Sequence, residues 1–130
     1  MVNGVISSRK EDICFEFLKK SYPDLERQFN IPETRKSVDF YSPSKKLIIE
    51  FLGDYYHGNS NKFERNVMNP TVKQTFGELH DKTFKRFDVL TKLGYRIKYT
   101  WEEYYDKITR TMEKEIKNTL RECSNSKNEF

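Results

Sequence analysis

Residues 47–52 read Leu-Ile-Ile-Glu-Phe-Leu, an aliphatic run suited to a buried strand, with a carboxylate, Glu50, set inside it. An ionised carboxylate is costly in apolar surroundings unless it meets a cation, accepts hydrogen bonds or takes up a proton. Whatever fold the chain adopts must therefore supply Glu50 with a partner. The chain has 130 residues, enough for one core and too few for two ordinary domains. Residues 1–122 are read as a single domain and 123–130 as a disordered tail.

Charged residues make up 34% of the chain and aromatics 15%, while Gly and Pro are few, which indicates a globular protein with a charged surface rather than a disordered one. The net charge of +4 suits an anionic partner without requiring one. No apolar run approaches the roughly 18 residues of a membrane span. The start, "MVNGVISSRKED", has no signal-peptide core. The expected location is intracellular: cytoplasm or nucleoid, or nucleus in a eukaryotic or viral setting. Cys14 and Cys123 lie far apart in no CxxC pattern, and His57 and His80 are the only histidines, so free thiols and no structural zinc are expected.

Ser8 and Glu11 have the S-x-x-E spacing of a capping box, which opens a first helix with Ile13, Cys14, Phe17 and Leu18 as its apolar stripe, ended by Pro23. A short strand over 25–31 stops at Pro32. Runs 37–41 and 46–52 flank Ser42-Pro43-Ser44-Lys45, the turn chemistry of an antiparallel hairpin. The polar segment 58–75 reads as a long loop with a turn at Asn69-Pro70. A helix follows over 76–93, with Leu79, Thr83, Phe87 and Leu90 at helical spacing and Gly94 as its C-terminal cap. Residues 95–101 alternate as a half-buried strand, with Tyr95, Ile97, Tyr99 and Trp101 on one face. A last helix over 103–122 carries Tyr105, Ile108, Met112 and Ile116. The order α-β-β-β-α-β-α predicts an α/β (α+β) fold, a mixed sheet flanked by helices with a further C-terminal helix.

A turn centred between Pro43 and Ser44 sets Asp39 opposite Ile48 and diagonal to Glu50 on one face. Two carboxylates meeting there repel and raise each other's pKa unless a cation sits between them. An all-oxygen donor set of this kind suits Mg²⁺, with Mn²⁺ as a substitute. The plainer alternative has Asp39 in solvent at a strand edge and Glu50 paired with Lys36. The continuation "GDYYHG" brings Asp54 and His57 just past the strand, and a histidine there is a plausible base near neutral pH for metal-assisted phosphodiester cleavage. Taken alone, His57 is an ordinary loop histidine.

The spacing Val38-Asp39-Phe40, Leu47-Ile48-Ile49-Glu50-Phe51, Gly53 and Tyr56-His57-Gly58 resembles the PD-(D/E)XK nuclease superfamily. Within it, the chain is similar to the branch of very-short-patch-repair endonucleases and their homing-endonuclease relatives. "SSRKE" and "KTFKRFDVLTKLGYRIKYTWE" extend the likeness over roughly residues 7 to 105. The resemblance implies a restriction-endonuclease-like core and a Mg²⁺-dependent DNA endonuclease. Asp39 would be the main metal ligand, Glu50 the second acid, and the Phe51 carbonyl a further ligand. Glu11 would be an acid given by the first helix, although the capping box accounts for it equally well. The strand reads Glu50-Phe51-Leu52 where the superfamily has acid-x-lysine. In the very-short-patch branch a histidine takes the lysine's role, which points to His57, with His80 as its competitor.

Lys82 and Arg86 share a helix face from which both can reach a phosphate, with His80 or Asp81 supporting a metal shell; a solvated helix face is the alternative. Lys45, Lys46, Lys62, Arg65 and Lys73 are candidate phosphate contacts. Tyr55, Tyr56 and Phe63 are either core or wedges for a base stack, with Tyr56 taken as a nucleic-acid contact. The expected partner is DNA, with no membrane, and a homodimer is one arrangement left open. Two rival readings remain: a non-catalytic nucleic-acid-binding module on the same fold, and a nuclease specific for junctions, flaps or RNA.

Overall fold

The hairpin around Glu50 forms and is extended on both sides into a mixed four-stranded sheet. The computed structural model describes the backbone of residues 2–128 and the side-chain surroundings of residues 9–115. In chain order the elements are α1 (Val2–Lys19), β1 (Glu26–Ile31), β2 (Lys36–Ser42), β3 (Leu47–Leu52), α2 (Asp54–His57), β4 (Met68–Asn69), β5 (Gln74–Thr75), α3 (Phe76–Lys92), β6 (Arg96–Trp101) and α4 (Glu102–Asn128). The first three strands form an antiparallel meander, and β6 joins β3 in parallel to give the order β1-β2-β3-β6. A parallel pair needs a long crossover. Here α2, the small β4–β5 ladder and α3 supply it.

The sheet is covered on both faces, as the near-continuous apolar run of its central strand β3 requires. Leu47, Ile48, Ile49 and Leu52 of β3 are all buried. One core cluster joins Ile31, Val38, Tyr41 and Ile48 to Leu90 of α3 and to Tyr95. The other joins Leu25, Phe40, Leu47 and Ile49 to Cys14, Phe15 and Leu18 of α1. Within α3, Leu79, Thr83, Phe87 and Leu90 are buried as their spacing predicts, and Gly94 has φ +98° just past the helix end.

Several expectations are corrected. Helix α1 begins at Val2, so Ser8 lies within its body and does not cap it. The capping box stands instead at the head of α3, where the Thr75 hydroxyl accepts from Glu78 N–H at 3.1 Å and the Glu78 carboxylate accepts from Thr75 N–H at 2.9 Å. Ile13 and Phe17 face solvent, and the inward stripe of α1 is Cys14, Phe15 and Leu18. The hairpin turn is a 3₁₀ turn over Pro43–Lys45 followed by Lys46 in the left-handed region, one residue further along than predicted. Pairing of Tyr41 with Ile48 and of Phe40 with Ile49 follows, so Asp39 does not lie opposite Ile48.

Strand β6 is an edge strand, which leaves Tyr99 exposed against the expectation of a buried face. Ile108 and Met112 of α4 are exposed as well. That helix continues to Asn128, past the expected end at Glu122. Ile116, Cys123 and the tail from 123 onward lie outside the residues whose surroundings are described. The long loop holds more structure than a polar run suggests: Asn69 is fully buried, donates to the Tyr55 carbonyl at 3.0 Å and accepts from Thr71 N–H at 2.9 Å.

Gly58 ends α2 with φ +65°, and a Cβ there would drive into the Phe76 carbonyl. Gly53 has φ −65° and open space around a Cβ. Gly58→Ala should therefore cost roughly 2–4 kcal/mol and Gly53→Ala less than about 1 kcal/mol. Chemical denaturation midpoints of the two variants check the contrast.

Candidate active site

The site is built where the sheet's hydrogen bonding breaks. β1 pairs with β2 on either side of Gln28 and Asp39 but not at them, and Gln28 has φ +48°. The β2–β3 pairing likewise ends at Phe40–Ile49, one step short of Asp39. Val38 and Tyr41, three apart, join the same core cluster, which a strand of unbroken alternation does not allow. Side chains take over the vacated bonds. The Glu50 carboxylate accepts from Asp39 N–H at 2.7 Å, and the Asp39 carboxylate accepts from Phe51 N–H at 2.9 Å. Asp39 and Glu50 thus converge at a local break in the ladder, in a register that sets them opposite each other rather than diagonal.

The partner of buried Glu50 is Arg86 of α3, whose guanidinium meets the other carboxylate oxygen. Lys36 does not take that role. Among the described residues no cation pairs with Asp39. Burial, then the charges of Glu50 and Glu11, push its carboxyl up to about 8. Glu11, released from any capping duty, adds its charge to that of Glu50 against Asp39 and has Arg27 3.9 Å away. These three carboxylates line one cleft of about 310 Å³ together with Lys10, Phe51, Tyr56, His57, Arg86 and Glu102.

His57, at the end of α2, is oriented by a defined chain of bonds. Its Nδ1 lies 2.9 Å from the Thr83 hydroxyl, and that hydroxyl donates to the Leu79 carbonyl at 2.9 Å. A hydroxyl has one proton. Since Leu79 takes it, His57 Nδ1 carries hydrogen and donates to Thr83, leaving the Nε2 lone pair free. Burial lowers the His57 pKa; the Glu50 charge opposes this and that of Arg86 adds to it. The imidazole is therefore held neutral with one nitrogen able to accept a proton.

The remaining predicted residues are distributed elsewhere. Lys82 lines an adjoining cleft, whereas Arg86 faces both clefts. His80 stacks among Phe84 and Trp101 in a separate groove, and Asp81 pairs with Arg65 at 2.6 Å. Lys62 is held 3.2 Å from buried Asp54, which also accepts from Asn59 at 2.9 Å. Lys45 and Lys46 sit at the far end of the hairpin from Asp39, and Lys46 lies over the Tyr95 ring. Lys73 is exposed beside β5. Tyr55 and Phe63 pack with Phe76, while Tyr56 is exposed at the cleft mouth.

Two cleft residues have no role in the sequence reading, Lys10 and Glu102, although they fall within the stretches "SSRKE" and "YTWE"; they pair at 2.5 Å. Lys10 comes from α1 and brings an ammonium group into the cleft that β3, with Leu52, does not provide.

The donor chemistry fits a hard divalent cation. Three carboxylates crowd together, with Asp39 pushed up to about 8 by burial first and by its neighbours' charges second, and a cation would relieve the repulsion. Among the described residues no three carboxylate, thiol or imidazole groups already stand at metal-binding geometry. One Asp39 oxygen and both Glu50 oxygens are engaged. The second Asp39 oxygen and the Glu11 carboxylate, which has Arg27 3.9 Å from one of its oxygens, are the donors that a cation would meet. Comparison with protein-family models, with curated proteins and with solved structures found no match to this chain.

Asp39 gains a proton on folding at any pH between its ordinary value of 3.8 and about 8, so stability of the metal-free protein falls as pH rises through that window. His57 acts oppositely, since its lowered pKa costs stability only as pH drops below 6.5. From about pH 6.5 to 8 the Asp39 effect should stand alone. Thermal unfolding in chelator should show the wild-type midpoint falling across this range and the Asp39→Asn midpoint nearly flat. Equal slopes would remove the claim.

Proposed function

We propose that the protein is a metal-dependent DNA endonuclease with a restriction-endonuclease-like core. The observation that carries this reading is the meeting of Glu11, Asp39 and Glu50, from three separate elements, in one cleft with a histidine whose Nε2 is free. Asp39 and Glu11, with Glu50 and the Phe51 carbonyl beside them, would hold Mg²⁺ or Mn²⁺. Bound there, the cation supplies neutralisation of phosphate charge and a water of lowered pKa. His57 Nε2 takes a proton from the attacking water as the water oxygen bonds to phosphorus and the bond to the leaving sugar oxygen breaks. Thr83 fixes the tautomer for that role. Tyr56 and the basic residues of the cleft rim contact the backbone of the DNA.

A second reading has one observation in its favour. Glu50 is already neutralised by Arg86, as in a purely structural ion pair, and Leu52 stands where the superfamily's lysine would be. On that reading the domain binds nucleic acid without cutting it.

Supercoiled plasmid with Mg²⁺, Mn²⁺ or EDTA separates the two. Cleavage with either metal and none in EDTA is expected. Asp39→Ala should abolish it. His57→Ala should lower the single-turnover rate by roughly 10²–10⁴-fold with DNA binding retained. Thr83→Val should lower the rate and shift its pH dependence, because a valine leaves the tautomer unset. DNA binding without metal-dependent cleavage would favour the second reading.

A further inference from the structure

A second cleft, of about 400 Å³, opens on the other side of the wall made by Tyr56, His57 and Arg86. Its chemistry is unlike that of the acid cleft. Lys36, Lys82 and Lys85 stand around it with Arg86, and among the described residues no acidic one lines it. Those three lysines form no ion pair with any described residue. Val38, Leu79, Val89 and Leu90 give the cleft apolar walls. Its volume is within the range of small-ligand sites.

Unpaired cations alone suit any anion, and apolar walls alone suit any greasy group. Together they select a ligand with a flat apolar body and a negative charge beside it, which describes a nucleotide. We propose that this cleft receives a single unstacked nucleotide, its base against the apolar walls and its phosphate between Lys82 and Lys85. A strand whose phosphate reaches His57 from the acid cleft passes over the shared wall, so its neighbouring nucleotide falls here. The placement along a cut strand rests on the endonuclease reading; binding of the nucleotide does not. A paired base cannot enter without leaving its stack. The substrate class is therefore single-stranded or locally unpaired nucleic acid.

Fluorescence anisotropy in EDTA tests binding apart from cleavage. The probes are a short single-stranded deoxyoligonucleotide, the same backbone with abasic sites, and the corresponding duplex. The intact single strand should bind about tenfold more tightly than the abasic strand. It should also bind more tightly than the duplex. Val89→Trp, which fills the cleft from an exposed helix position, should remove that advantage with the thermal midpoint unchanged. Replacing Lys82 and Lys85 by alanine should weaken binding and reduce the salt slope by up to about two units. Equal affinity for intact and abasic strands, or no binding of either, overturns the inference, whether or not Val89→Trp folds. Equal affinity with plasmid cleavage intact overturns the cleft alone. Base-dependent binding with no cleavage in any metal overturns the endonuclease reading alone.

Discussion

The exchange of bonds between Asp39 and Glu50 is the interaction on which the rest of the site depends. At this point β2 has lost its ladder partners on both sides, and the half-buried N–H groups of Asp39 and Phe51 would be left without acceptors. An unsatisfied buried group costs roughly 1–3 kcal/mol, so the two carboxylates are structural groups before they are chemical ones. The same bonds draw Asp39 close to Glu50. The repulsion that follows is what makes the place chemically unusual.

Around this junction, fixed polar contacts tie together elements distant in sequence. Arg86 links α3 to β3 through Glu50. Asp54, at the end of β3, accepts from Asn59 and from Glu103 N–H, and its own N–H approaches Glu102, which joins the start of α4 to the same strand end. Lys10 reaches Glu102 and Asp106 from α1. The cleft walls are thus pinned by ion pairs whose members mostly sit on helices and strands. A histidine in the short α2 helix can be held in one tautomer because Thr83 stands on the rigid middle of α3.

Much of the architecture was legible in the sequence because local patterns and tertiary packing agree. The spacing of Leu79, Thr83, Phe87 and Leu90 with Gly94 predicts α3 nearly to the residue, and the two runs around Pro43 predict the hairpin. Convergence of Asp39 with Glu50 was also legible, although for a reason that periodicity does not contain: the positive φ of Gln28 and the break beside it. The S/T-x-x-E spacing occurs at Ser8–Glu11 and again at Thr75–Glu78, and only the second begins a helix, which local spacing does not reveal. Lys10, Glu102 and the pairing of Arg86 with Glu50 depend on contacts across 36 to 92 residues, for which a single sequence has no signal. The exposure of Tyr99 follows from β6 being at the sheet edge, a matter of strand order rather than of alternation.

The sheet order also bears on how the chain reaches its native state. The β1–β2–β3 meander needs only short loops to close, whereas β6 must return to β3 across the whole crossover. Loop-closure entropy favours assembly of the meander first and the parallel pairing late. In that interval Asp39 and Glu50 are together while Arg86 is still undocked. Docking of α3 then both completes the hydrophobic face and brings Arg86 to Glu50, so a single event couples core formation to neutralisation of that one carboxylate. Weakening the Arg86 contact should on this basis act on the late, rate-limiting part of folding more than on the early hairpins.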